Sequence, residues 1–361
     1  MLPSVDEQRT GARNLLINCA GVASGDTLLI VREELGLGYY DEAVADLVEQ
    51  EARSLGAAVH SLRVPQVNGP EDFPEIVIGA MERADHTIFF TRIADFMRFV
   101  SLPGGGTKTM CYALGLDYLG SEACTTPYAL MVEVLAKLQA ELDEADEWRV
   151  TCPLGTDVSG RCDPIKDGVR EKPKFTLKLF PVGAFQPFSC GMMNGRLVTK
   201  WLPPIFTHRY EPFGLVLDEP ITLNVEQGRI CGIDGDPKLV AKVRDHYEKI
   251  GALFGDPYLI TSWHGGSNPK VFAPFAARDD IERWGGTMHA QTRYTHFHSC
   301  GDMAPGEISI VTIDPTITVN DVMYWRDGRL LFLEREDVLA LRAKYPGAEN
   351  AFELRMDIGI D

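Results

Sequence analysis

Four of the eight histidines lie between His264 and His298, and the densest stretch reads Gly286-Thr-Met-His289-Ala-Gln-Thr-Arg293-Tyr294-Thr-His296-Phe-His298-Ser-Cys-Gly-Asp302, with Glu307 shortly after. Imidazoles beside a carboxylate are what a divalent metal needs, since each offers a lone pair from a small group. Two histidines at i and i+2 of an extended segment point the same way, so His296 and His298 are expected to face one cavity. His264 stands in Ser262-Trp-His264-Gly-Gly-Ser-Asn268-Pro269, after a strand-like run over 258–261. The two glycines behind it would let the backbone pass close to a bound ion or substrate. Glu307 follows Pro305-Gly306 and opens a strand, where a carboxylate is placed to ligate, whereas Asp302 after Gly301 reads as a turn residue.

Several histidines with one carboxylate match the facial triad of non-haem iron(II) enzymes, which leaves metal positions open for substrate and dioxygen. The same residues are equally compatible with a catalytic zinc carrying a water. The gap from His298 to Glu307 is longer than the HxH-and-glutamate pattern of cupins, which ranks third. His60, His86 and His246 have no ligand-like spacing and read as surface or satisfied core residues. His208, beside Arg209 in a polar break, is a candidate to line a pocket.

The elements that must position these groups fall into two patterns. Up to about residue 145 the chain alternates helix and strand: helix 4–19, strand 26–31, helix 41–55, strand 57–64, helix 71–84, strand 86–91 and helix 128–144. Such alternation predicts a parallel sheet covered by helices. From Trp148 onward short strand-like runs separated by Gly, Pro and Asp take over, at 174–180, 214–218, 221–225, 229–233 and 308–333, with one clear helix over 237–253. The expectation is an α/β fold class: an N-terminal parallel-sheet α/β domain, 1–147, and a strand-rich α+β C-terminal domain, 148–361, that carries the metal site.

The 361 residues suffice for two ordinary cores. A net charge of −17 argues against a nucleic-acid surface or anionic lipid. No apolar run approaches the ~18 residues of a membrane span, and the N-terminus lacks the regions of a secretory signal. The eight dispersed cysteines form no CxxC pair, so reduced thiols in the cytoplasm are expected. Pro103-Gly-Gly-Gly-Thr-Lys108-Thr109 lacks phosphate-loop spacing and reads as a flexible loop. Gly36-Leu-Gly38 has two of three dinucleotide-fingerprint glycines and reads as a turn, with Asp41 near a helix start. No GxSxG elbow is present.

Further segments carry a resemblance. They are Gly155-Thr156-Asp157 after a strand, Pro220-Ile-Thr-Leu-Asn-Val-Glu226-Gln-Gly228-Arg-Ile-Cys-Gly-Ile-Asp-Gly235 with the helix behind it, Phe254-Gly-Asp256-Pro257 leading to His264, and Pro315-Thr-Ile-Thr-Val319 leading to Asp327-Gly328. In their order and spacing the chain resembles the aminopeptidase T-like superfamily and, within it, the 2,5-dihydroxypyridine 5,6-dioxygenases, which are mononuclear iron(II) enzymes. The resemblance puts His264 at the first metal histidine. The family's His-x-Asp pair falls on Glu307-Ile308-Ser309, so both ligands are replaced. A glutamate of the dinuclear peptidases falls on Ala184, which cannot ligate, while Gly286-Thr-Met-His289 is similar to their Gly-Thr-x-His. The resemblance therefore implies a rebuilt mononuclear site of His264, His296 or His298, and Glu307, in a homo-oligomer with its active site between the domains.

The leading expectation is an Fe(II) enzyme acting on a small polar ring compound, a ring-cleaving dioxygenase of the dihydroxypyridine type. His289, or whichever of the pair does not ligate, would move a proton. Arg293, Arg209 and Tyr294 would hold an anionic or phenolic substrate. The alternatives are a Zn or Co hydrolase, aminopeptidase-like, on the same scaffold, and a metal-free enzyme or binding protein that has kept the fold.

Overall fold

Strands whose residues are buried on both faces belong inside a sheet that is covered twice. Thr27–Glu33 and His86–Phe90 are such strands. In the computed structural model, which describes residues 3–65, 73–97, 100–162, 176–205, 214–301 and 307–360, they occupy the centre of a five-stranded parallel sheet. Its order is Ala58–Val64, Thr27–Glu33, His86–Phe90, Thr107–Cys111, Lys178–Phe180. Alternate side chains feed two cores. Leu28, Ile30, Ile88 and Phe90 pack with Ala12 of helix Val5–Arg13 and with Val44 and Val48 of helix Glu42–Ser54. Leu29, Val31 and Phe89 pack on the other face with Val77 and Met81 of helix Glu75–Arg83.

The glycine-rich 103–109 segment differs from the expected flexible loop, because from Thr107 it is a sheet strand. The Lys108 ammonium bonds back to the Gly104 and Gly106 carbonyls at 2.8 and 2.9 Å, which closes the loop on itself.

The C-terminal part is antiparallel. Eight strands run in the order Arg229–Asp234, Leu215–Glu226, Asn194–Leu202, Asp157–Arg161, Glu147–Thr151, Thr316–Val319, Val322–Arg326, Arg329–Leu330. The two runs expected at 214–218 and 221–225 are one strand, because the register shift between Val216 and Ile221 absorbs the Asp-Glu-Pro interruption. A second sheet has the order Ile308–Ile313, Tyr294–Ser299, Ile260–Gly265, Phe188–Ser189. Helices Tyr128–Leu142 and Pro237–Phe254 bury Leu130, Val134, Val243 and Tyr247 in the large core beneath, together with Trp263, Phe297 and Ile310 of the second sheet. Tyr294, Val311 and Ile313 of that sheet belong instead to the core shared with the parallel sheet. The fold is thus mixed α/β, with the small sheet held between two cores. Among the described residues no helix is long and apolar enough to cross a membrane.

His246, read as a surface or satisfied core residue, is buried on helix Pro237–Phe254 without a hydrogen-bond partner for Nδ1. Burial lowers its pKa to about 4. The unfolded chain takes up this proton first, so the cost of keeping His246 neutral grows as pH falls from about 6.5 towards 4. His246→Leu is expected to recover up to about 3 kcal/mol of stability at pH 4 relative to pH 7. Urea unfolding of both proteins at the two pH values checks this, and parallel losses in both would refute it.

Candidate metal centre

Strands Ile260–Gly265 and Tyr294–Ser299 pair antiparallel with His264 opposite His296 and Ser262 opposite His298. Directly opposed residues share a face, as do residues two apart on one strand, so the pairing turns all three imidazoles the same way. The residues between them point away. Trp263 and Phe297 lie 5.8 Å apart in the large core, where Trp263 stacks on Phe188 at 5.0 Å. The alternation Trp263-His264 and His296-Phe297-His298 thus drives one face into apolar core and leaves the histidine face towards the parallel-sheet half.

The three imidazoles converge. Their ring centroids are 4.4, 5.0 and 4.7 Å apart, and one nitrogen from each falls within a 4.8 Å group. All three residues are buried, at 3–6% exposure. His264 Nε2 and His296 Nε2 approach to 3.0 Å. Two lone pairs do not face each other at that distance unless a proton or a cation lies between. Nitrogens each about 2.1 Å from one cation stand about 3 Å apart, so the donor set fits a shared metal ion.

The far sides of two of the rings are also fixed. His264 Nδ1 lies 2.9 Å from the Phe185 carbonyl. A carbonyl only accepts, so Nδ1 carries the hydrogen and Nε2 presents a lone pair to the cluster. His298 Nδ1 meets the Ser262 hydroxyl at 2.9 Å. Sequence reasoning passed over both outer partners. Ser262 carried a usable signal, since it precedes His264 by two in a strand, but the Phe185 carbonyl carried none.

Beside the cluster lies a cavity of ≈ 20 Å³ among the described residues. His289, Tyr294 and Ser309 line it with the three histidines. His289 caps helix Ile281–Met288, and its Nδ1 donates to the Gly286 carbonyl at 2.8 Å, which leaves Nε2 as the basic nitrogen. Tyr112, from the carboxyl end of parallel strand Thr107–Cys111, packs against this ring at 4.5 Å. The helix itself is tied to the parallel-sheet half. Glu282 takes a 2.7 Å bond from Arg92, which also grips Glu33, and Arg283 reaches Asp41 at 3.1 Å. The cavity therefore sits at the carboxyl edge of the parallel sheet, where α/β folds present ligands. Burial pushes the Tyr294 phenol well above its usual range, so it remains an O–H donor at neutral pH.

Two expected site residues stand elsewhere. Glu307 is buried, but it does not join the histidine group and does not line the cavity. Its N–H bonds the carbonyls of Ser299 and Cys300, and its charge raises the Cys300 thiol after burial has done so. Arg293 is committed to Asp314, with bonds of 2.5 and 2.8 Å, and to the Met356 carbonyl at 2.8 Å. A guanidinium held this way is a structural clasp rather than an anion holder. Arg293→Gln is accordingly expected to cost about 2 kcal/mol of stability and to leave metal uptake unchanged, as thermal melts and metal assays would show. His208, Arg209 and Asp302 lie outside the described residues.

The role expected for the glycines after His264 also changes. A Cβ on Gly266 would strike the backbone of Ala290 and Gln291, and one on Gly265 would crowd the Thr295 hydroxyl. The close approach is to the protein's own chain rather than to a ligand. Ala184 only bridges Gly266 through backbone bonds.

Two solved structures align with nearly the whole chain. 2,5-Dihydroxypyridine dioxygenase from Pseudomonas putida KT2440 does so with a TM-score of 0.61 and 15% identity, over 91% of this chain and 98% of its own. Wild-type AmpT from Thermus thermophilus gives a TM-score of 0.51 and 11% identity, over 90% and 99%. The chain shares its overall fold with these two proteins. No protein-family profile matches the sequence, and no curated protein does. At these identities the likeness is one of fold, and the chemistry has to come from the residues present.

Proposed function

We propose that the protein is a mononuclear metal-dependent enzyme acting on a small polar ring compound, with His264, His296 and His298 holding one divalent cation. The convergence of three buried imidazoles beside a cavity carries the reading. Among the described residues this is the one group with metal-holding geometry, and the superfamily's carboxylate position at Ala184 cannot ligate, which supports one metal rather than two. A bound cation would supply Lewis acidity and, if it is iron(II), a place for dioxygen. The Phe185 carbonyl and the Ser262 hydroxyl orient two of the ligand rings. His289 Nε2 takes or returns a proton of the bound substrate, and Tyr294 donates a hydrogen bond to it.

Ring-cleaving dioxygenation with iron(II) is the leading reading, drawing on the dioxygenase that shares the fold. A hydrolase using zinc or cobalt is the second, favoured by the donor set itself, since three histidines with an open position are one of the sets that hold catalytic zinc. Elemental analysis of protein purified without oxygen or chelator, followed by oxygen-uptake assays on dihydroxylated N-heterocycles, separates them. About one iron per chain with oxygen uptake supports the dioxygenase. Zinc or cobalt with oxygen-independent turnover supports the hydrolase, and absence of metal after reconstitution removes both.

A further inference from the structure

We propose that the cavity between helix Glu336–Arg342 and the C-terminal segment 352–356 is a second binding site, one for a small apolar carboxylic acid. Among the described residues no histidine lines it, so it stands apart from the candidate metal centre. The inference does not rest on the metal reading.

The cavity measures ≈ 640 Å³ among the described residues. Sites for small molecules occupy roughly 300–1,000 Å³ and are walled mostly by apolar side chains. Leu330, Leu333 and Leu339 line this one from strand Arg329–Leu330 and the two short helices that follow it. Phe352, Leu354 and Met356 line it from the C-terminal segment. Each methylene that a ligand buries against such a wall is worth about threefold to fourfold in affinity.

Four charged residues share the lining, namely Arg329, Glu334, Arg342 and Glu353. Arg329 donates to Glu334 at 2.7 Å. Glu353 lies 3.7 Å from the ammonium of buried Lys270. These three are answered by opposite charge. Arg342 is not: among the described residues its partner is the Phe352 ring, whose centre lies 5.5 Å from the guanidinium carbon. A ring face attracts a cation without neutralising it. The planar N–H fork therefore remains for an acceptor, and a carboxylate matches it with two oxygens. Inorganic phosphate or sulfate would answer the guanidinium and leave the apolar wall bare. A neutral hydrocarbon would do the reverse. A monocarboxylate with a hydrocarbon or aryl body meets both demands.

Calorimetric titration of the full chain with octanoate, octanamide, hexanoate and acetate tests this. Octanoate is expected to bind saturably, and octanamide, with the same body and no charge, about tenfold more weakly. Hexanoate, two methylenes shorter, should also be about tenfold weaker than octanoate, and acetate weaker again. Arg342→Gln should lower the octanoate affinity about tenfold and leave that of octanamide unchanged. Met356 is 61% exposed, so Met356→Glu sets a carboxylate at the lining without disturbing the core, and it should weaken octanoate but not octanamide. Absence of saturable octanoate binding, equal affinities for octanoate and octanamide, or octanoate binding unchanged in both variants overturns the inference. Sedimentation of the unaltered chain and the variants covers the other occupant. An oligomer that either substitution dissociates would give the cavity to a second copy of the chain and overturn the inference as well. Should Arg342→Gln not fold, Met356→Glu and the octanoate-to-octanamide ratio decide.

Discussion

The His264→Ala variant is expected to lose its divalent metal and its turnover while folding as the parent does. His264 is the donor from the neighbouring strand: its ring lies 4.4 Å from that of His296 and 5.0 Å from that of His298, and its strand lies beside theirs. Loss of an outer hydrogen-bond partner of a ligand typically costs about 10- to 100-fold in metal affinity. Loss of the ligand itself should exceed that. Ser262→Ala, which removes only the hydroxyl at His298 Nδ1, should fall within the 10- to 100-fold range and give a graded series. The fold should survive, because Trp263 and Phe297 on the opposite face anchor the sheet. Metal content, equilibrium titration with Zn²⁺ and circular dichroism are the readouts. Exposed His60→Ala serves as the control. Metal bound by His264→Ala as tightly as by the parent would sink the assignment of the centre.

Gly266→Ala is expected to be the most damaging single methyl in the site region, destabilising by about 3 kcal/mol or more. The added Cβ meets main-chain atoms of Ala290 and Gln291, which cannot rotate away as a side-chain tip would. The Gly266 N–H bonds the Tyr294 carbonyl at 3.1 Å, so moving this segment also disturbs the start of the histidine strand. Because residue 290 follows His289, the displacement should reach the cavity wall and weaken metal binding along with stability. Gly79→Ala is the opposite case: it lies in helix Glu75–Arg83 with open space around the built Cβ. It should gain about 0.5–1 kcal/mol, as alanine does over glycine inside a helix. Denaturant midpoints of the two variants would test the contrast, and a Gly266→Ala protein as stable as the parent would show that the backbone approach is loose.

Much of the parallel-sheet half was legible because its signals are local. Ala45, Val48 and Ala52 recur at helical spacing, and helix Glu42–Ser54 buries all three. The apolar run after Asp26 became strand Thr27–Glu33. The alternation of Tyr294-Thr-His-Phe-His-Ser gave both the strand and the shared direction of His296 and His298. Lys178–Phe180 was less legible. It read as one strand among those of the C-terminal part, yet it pairs with Thr107–Cys111 at the edge of the parallel sheet. Nothing within three residues specifies a partner that far back in the chain.

The candidate site divides along the same line. The sequence by itself determined which residues could ligate, that His296 and His298 share a face in an extended segment, and that a strand-like run leads into His264, which the strand Ile260–Gly265 in fact includes. The tertiary structure decided that His264 stands opposite His296, that the Glu307 N–H bonds the 299–300 backbone, and that Arg293 is held by Asp314. The reason is that side-chain direction along a strand follows from the pleat, whose period is written in the chain. Register between strands and the partner of a charged group are set by contacts between distant segments, and a one-residue slip in either would have put a different set of side chains around the cavity.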